Sequence, residues 1–229
     1  RPLKLGADVV IYSATKHIDG QGRVLGGVVL GSREFIRKEA EPFLKHTGGA
    51  MSPFNAWVML KGLETLDLRA RAQAATAAQV ADALADHPKV AAVRYPGRED
   101  FPQRALAARQ METGGTLVAF EVADQAAAFR LIIALESSQI SNNLCDAKSI
   151  ASQPRYTTHQ RLEEAQRRTL GISPGLIRLS CGLEAPEDLI ADLSAALDAA
   201  CTEGASRRPL LTHRVRSLPE FRNVSNSCG

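Results

Sequence analysis

The stretch from Ser52 to Asp86 reads as almost unbroken helix, and nothing else in the chain constrains the fold so strongly. Ser52 offers a side-chain oxygen to cap it, and Pro53 suits the first helical position. Phe54, Trp57, Leu60 and Leu63 recur at helical spacing, which predicts that they face a core rather than a cofactor. The alanine-rich segment ARAQAATAAQVADALADHP continues the signal until His87-Pro88 stops it. A helical region this long in a globular protein bridges two lobes, with a bend somewhere inside.

What flanks the helix supports two lobes. Ala7 to Tyr12 is a short, continuous apolar run and predicts a fully buried strand. Gly26 to Leu30 predicts a second strand, across a polar loop holding Gly20 and Gly22. Residues 33–45 predict a short helix. Beyond Pro88, VAAVRY (90–95) and TLVAFEV (116–122) are strand-like, and Asp124 caps a helix through about Leu135. QISNN is a short strand end, LIRLSCGLE (176–184) another strand, and Pro186 to about Ala200 a helix with Glu187 and Asp188 in its first turn. Strands and helices in alternation predict an α/β or α+β fold. There is no internal repeat, and periodicity ends near Glu203.

Bulk properties exclude several function classes. No apolar run is long enough to span a bilayer, and the first residues lack the pattern of a signal peptide. Net charge is +3, but from Gly204 onward five arginines face one acid, while residues 1–203 carry 23 basic and 24 acidic groups. A near-neutral body argues against a nucleic-acid surface. The tail arginines read as a solvated end rather than a binding patch. Cysteines at 145, 181, 201 and 228 form no CxxC pair. They predict a reduced, cytoplasmic setting in which they act as small hydrophobes.

The residues that could carry chemistry cluster at SATKHIDGQGRVLGG (13–27). Lys16 follows a strand, where α/β folds present reactive groups to a crevice. A lysine in a partly desolvated pocket serves as a nucleophile or forms a Schiff base with a carbonyl. Ser13 and Thr15 place hydroxyls beside it that suit phosphate oxygens. The plainer alternative is a strand-terminal lysine in solvent. The glycines at 20, 22, 26 and 27 fail the GxGxxG spacing of a dinucleotide loop. His17 reads as a neighbour of the lysine and not a catalyst, and His159 as a structural hydrogen-bonding residue rather than an acid–base group.

Five segments together change the balance. GADVVIYSATKHIDGQGRVLGG resembles the lysine segment of the Cys/Met-metabolism enzymes that depend on pyridoxal 5′-phosphate. In matching order follow TGGAMSPFNAWVMLKGLETLDLR (47–69), ISNNLCDAKSI (140–150), TTHQRL (157–162) and GLIRLSCGLEAPEDLIADL (175–193). The likeness runs from residue 1 to about 200. It implies an α/β fold of the aspartate-aminotransferase-like kind, fold type I. Residues 1–68 would be the end of the large cofactor-binding domain and 69–203 a smaller α/β domain. Residues 204–229 would be a disordered tail foreign to the family.

The resemblance also assigns roles. Lys16 would carry pyridoxal phosphate on its ε-amino nitrogen, and Ser13 and Thr15 would contact the cofactor phosphate. Arg178 would hold the substrate α-carboxylate, a task suited to a planar two-pronged donor, with Asn143 approaching the same group. A strand arginine paired with a surface acid is the plain alternative for Arg178. No metal is implied. The implied chemistry is γ-replacement in methionine biosynthesis, in which succinate leaves an acylated homoserine and sulfide takes its place. Acetyl substrates, cysteine as acceptor, or γ-elimination are sister activities, and a non-catalytic fragment is a further alternative. A dimer or tetramer would be the assembled form.

Departures qualify the likeness. The chain begins only fifteen residues before Lys16, so the family's other cofactor contacts are expected to lie upstream and the site to be encoded only in part. Cys145 stands where the family has glycine, at a place where a Cβ could strain the backbone. SQPRYTTH (152–159) departs from the family's pattern, making Gln153, Arg155 and Tyr156 unusual at the pocket rim.

Overall fold

The computed structural model describes residues 1–200, so the arginine-bearing tail and Cys201 and Cys228 lie outside the described residues. Two sheets organise the chain. Strands β1 (Val9–Ser13) and β2 (Gly27–Gly31) form a two-stranded antiparallel sheet. Strands β3 (Ala92–Arg94), β4 (Leu117–Glu121), β5 (Gln139–Ile140), β6 (Ile150–Ser152) and β7 (Leu176–Ser180) form the second, in the order β3-β4-β7-β6-β5. Only β5 and β6 pair in parallel, so this sheet is mixed and largely antiparallel.

Helix α1 (Arg33–Phe35) runs through a π-helical turn into α2 (Glu41–Thr47). The long helical region is two helices, α3 (Pro53–Glu64) and α4 (Leu66–Ala85). The Ser52 hydroxyl accepts from the Asn55 amide, as its capping role requires. The bend falls at Thr65, whose φ of −115° and ψ of 7° leave the helical region. Just before it, Gly62 lies flat against the Ile18 carbonyl, where a Cβ would overlap the oxygen. That close approach docks α3 onto the Lys16 loop.

Helices α5 (Arg104–Gln110), α6 (Gln125–Ala134), α7 (Glu164–Thr169) and α8 (Pro186–Ala200) complete the chain. Asp124 caps α6 by accepting from the Ala127 amide. The main core sits between the second sheet and α4, α6 and α8. Val80 and Leu84, Val118 and Phe120, Leu131, Ile177 and Leu179, and Leu189, Leu193 and Leu197 meet there. Strand alternation places Val118, Phe120, Ile177 and Leu179 on this helix-covered face. Arg178, Ala119 and Ser152 stand in register on the opposite face. A smaller cluster, Ala14, Ile18 and Met59, lies under the first sheet.

Two expectations are corrected. The β1 run is not fully buried: Ile11 is 81% exposed, in a sheet where β1 pairs only with β2. Phe54, Trp57, Leu60 and Leu63 are not core. They are 66, 58, 59 and 47% exposed, while α3 buries Val58, Met59 and Gly62 instead. Helical spacing identifies a face without saying which neighbour covers it. None of the described helices is long and apolar enough to cross a membrane.

Candidate active site

The Lys16 loop is rigid for local reasons. After β1 the chain turns so that the Asp19 amide donates to the Ala14 carbonyl at 2.9 Å and the Gly20 amide to the Lys16 carbonyl at 2.7 Å. Asp19 is fully buried and accepts from the Arg23 amide at 2.6 Å and Arg23 Nε at 2.8 Å. The Thr15 hydroxyl accepts from the Gly26 amide at 3.0 Å and donates to the Gly26 carbonyl at 3.4 Å, tying the loop's two ends together. On this support the half-buried Lys16 donates from Nζ to Asn143 Oδ1 at 2.5 Å.

Arg178 approaches Asn143 from the other side. Its Nη2 donates to the carbonyls of Asn142 and Asn143 at 3.1 and 3.0 Å. Its Nε is buried and meets no protein partner. No ion pair among the described residues involves Arg178, so pairing with a surface acid does not account for it. Burial works against its charge and lowers its pKa, with the nearby Cys145 thiol opposing that shift. A half-buried guanidinium without a carboxylate has donors that could receive an anion from outside the chain.

Cys145 turns the loop that brings Asn143 to both cations. Its φ is 63°, a left-handed value that no other described non-glycine residue adopts. The strain expected of a Cβ there is present. The Cys145 amide is held by the Ser180 hydroxyl at 2.8 Å. Its thiol is pushed up to about 11, chiefly by burial, with Thr116, Lys16 and Arg178 pulling the other way. A thiol so poised stays protonated at neutral pH and is no nucleophile. Cys145 and Cys181 are both free and buried.

His17 has both ring nitrogens engaged, Nδ1 with the Tyr12 hydroxyl at 3.0 Å and Nε2 with the Thr116 hydroxyl at 3.2 Å. Burial, and then Arg69, push its pKa below 6.5. The neutral form therefore belongs to the fold. Stability from this group is complete above the unfolded value of about 6.5 and declines as pH falls from there toward the folded pKa. His17→Gln is expected to flatten that decline, measured as urea midpoints from pH 7.5 to 5. An unchanged pH profile would remove His17 as its source.

The structure thus brings Lys16, Asn143 and Arg178 together. Ser13 is exposed with an uncommitted hydroxyl, whereas the Thr15 hydroxyl is already held by Gly26. Tyr12, Thr116, Arg69 and Gln73 were not singled out by sequence reasoning. The last two extend the buried stripe of α4 as polar residues, a signal that could have found them. His159 bonds the Thr158 hydroxyl through its ring at 2.7 Å and the Pro154 carbonyl through its amide at 2.9 Å, a structural role. Gln153 donates to the Pro174 carbonyl, Arg155 pairs with Glu164 at 2.7 Å, and Tyr156 packs on Phe129 with ring centroids 5.3 Å apart. The unusual rim segment is therefore anchored by its own neighbours.

Among the described residues no group of three His, Cys, Asp or Glu could hold a metal ion. A cleft of about 420 Å³ between α4 and α5, lined by Arg71, Tyr95, Arg104 and Met111 among others, contains none of the Lys16 group. Its Arg71 is already paired with Asp67 and Glu112.

Known proteins share this sequence and this fold. The chain is 50% identical over 199 residues to an O-succinylhomoserine sulfhydrylase of Mycobacterium tuberculosis, covering 84% of this chain and 49% of that protein. It is 47% identical to one from Pseudomonas aeruginosa and 41% identical to an L-methionine gamma-lyase of Treponema denticola, covering 87 and 86% of this chain and 49 and 50% of those proteins. A cystathionine gamma synthase from Xanthomonas oryzae superposes with a TM-score of 0.83 at 36% identity, over 87% of this chain and 52% of that one. An O-acetylhomoserine (thiol)-lyase from Campylobacter jejuni, which carries a pyridoxyl phosphate group on a lysine, superposes at 0.81 and 31% identity, over 86 and 55%. The chain spans about half the length of the curated relatives it matches.

Fold and likeness define a pyridoxal-phosphate-dependent enzyme of fold type I. A sequence profile of the Cys/Met metabolism PLP-dependent enzymes matches residues 1–198, and the chain belongs to that family.

Proposed function

We propose that this chain supplies the lysine and the carboxylate receptor of an enzyme that converts O-succinylhomoserine and sulfide into homocysteine and succinate. The observation that carries the reading is the Lys16–Asn143–Arg178 group: one amine and one uncompensated guanidinium meeting on a single asparagine. The sulfhydrylases at 50 and 47% identity favour this branch over the γ-lyases at 41%.

The residues present fit pyridoxal phosphate. Lys16 offers the amine, Ser13 an uncommitted hydroxyl for the phosphate, Thr15 a hydroxyl that also bonds Gly26, and Arg178 is a half-buried cation with a donor to spare. When bound, the cofactor supplies an electron sink for charge developing at the amino acid's Cα. Arg178 binds and orients the α-carboxylate through parallel N–H donors. Asn143 Oδ1 holds the Lys16 amine in place, and that amine would take the proton first from Cα and then from Cβ, so that succinate leaves Cγ with its bonding electron pair. Residues 1–68 form the cofactor side and 69–203 the carboxylate side of this reading. The exposed apolar face of α3 favours assembly into a dimer or larger oligomer. Two free thiols favour a reducing, cytoplasmic setting.

The test is covalent trapping. The chain with excess pyridoxal phosphate is reduced with borohydride and mapped by peptide mass. A pyridoxyl tag on Lys16, absent from Lys16→Ala, is expected. A tag on another side chain, or one undiminished in Lys16→Ala, overturns the assignment.

A further inference from the structure

The first two turns of α4 bury two polar side chains that the proposed chemistry does not use. Arg69 is 6% exposed and Gln73 fully buried. They stand four residues apart, on the same helix face as Ala77, Val80 and Leu84. Each grips a different loop of the site. Arg69 donates from Nη2 to the carbonyls of Gly62 at 2.7 Å and Ile18 at 3.4 Å, and from Nε to the Thr65 hydroxyl at 3.0 Å. Its guanidinium also lies directly behind Gly20, whose φ of 65° and missing Cβ leave room for it. Gln73 donates from Nε2 to the Asp146 carbonyl at 2.6 Å, next to Cys145 and three residues from Asn143. The Ala147 amide then donates to the Gly20 carbonyl at 2.7 Å, joining the two gripped loops.

Arg69 Nη1 and Gln73 Oε1 find no protein partner, although both are buried. A helix selected for stability alone would place apolar residues there, since unpaired buried polar atoms weaken a fold. What the pair does achieve is a fixed spacing, one helical turn long, between the loop that carries Lys16 and the loop that carries Asn143.

We infer that Arg69 and Gln73 are positioning residues, which set the Lys16–Asn143 contact from behind. The inference rests on the proposed site, but its test does not require the cofactor. Lys16 acylation by a small neutral reagent is followed by peptide mapping, with the exposed Lys4 as internal reference. Asn143→Ala frees the amine and is expected to raise the relative Lys16 rate by about threefold, the effect of one net hydrogen bond. Gln73→Met keeps volume and removes the donor. It is expected to raise the rate similarly, and the double variant is expected to match Asn143→Ala alone. Arg69→Lys, which keeps the charge but not the reach, is expected to act in the same direction. Val80→Ala loosens α4 away from both loops and should leave the Lys16 rate unchanged. Additive effects of Gln73→Met and Asn143→Ala, no effect of Gln73→Met, or an equal effect of Val80→Ala would overturn the inference. Pyridoxyl tagging elsewhere than Lys16, with the non-additive cycle intact, would overturn the proposed function and leave the positioning role standing.

Discussion

Arg178→Met is expected to weaken binding of an amino-acid carboxylate about 100-fold while leaving the fold as stable as before, or more so. The magnitude follows from losing a charge-assisted pair of hydrogen bonds at the lower end of their range, about 1.5 kcal/mol each or about 3 kcal/mol together. The second half of the prediction follows from burial. The Arg178 cation is desolvated, has no acid beside it, and satisfies only two backbone carbonyls. Replacing an uncompensated half-buried charge with an apolar chain of similar length removes a penalty. Carboxylate titration of the pyridoxal-phosphate-loaded protein and urea unfolding of the same sample check both halves. Unchanged affinity with several kcal/mol of lost stability would make Arg178 a structural residue and remove the receptor from the site.

Phe120→Ala is expected to cost about 3–5 kcal/mol, enough to unfold the second sheet at moderate temperature. Phe120 is fully buried in β4, in register with Val93 on one side and Ile177 on the other. Residues from α4, α6 and α8 share its cluster, so no single element can collapse into the space. Phe120→Leu, which keeps most of the volume, should cost less than half as much by the same measurement. Denaturant midpoints compared at a common slope give the difference. A cost below about 1 kcal/mol for Phe120→Ala would mean that the sheet and helices close over the gap, contrary to the rigidity that a three-helix layer imposes.

The elements legible in the sequence were those whose ends carry local chemistry. Ser52-Pro53 starts α3, Asp124 starts α6, and Pro186 starts α8 where the pattern predicts. The missed elements are short or lack contrast. Strand β6 is three residues long and buried throughout, so no alternation marks it, and α5 and α7 are seven and six residues. Lys16 stood out because a lysine among hydroxyls after an apolar run is unusual. Its partner Asn143 is 127 residues away, and only the likeness to a family pointed there.

The sequence alone determined the helices with caps, the apolar runs that became strands, the strained position of Cys145 and the family. Each depends on residues that are neighbours along the chain or on the order of motifs. Only the tertiary structure decided that no described residue covers the α3 face of Phe54, Trp57, Leu60 and Leu63, that Arg178 has no acid among the described residues, and that Arg69 and Gln73 hold the two loops of the site. Burial and pairing depend on which distant surface arrives at a face, and local pattern carries no record of that.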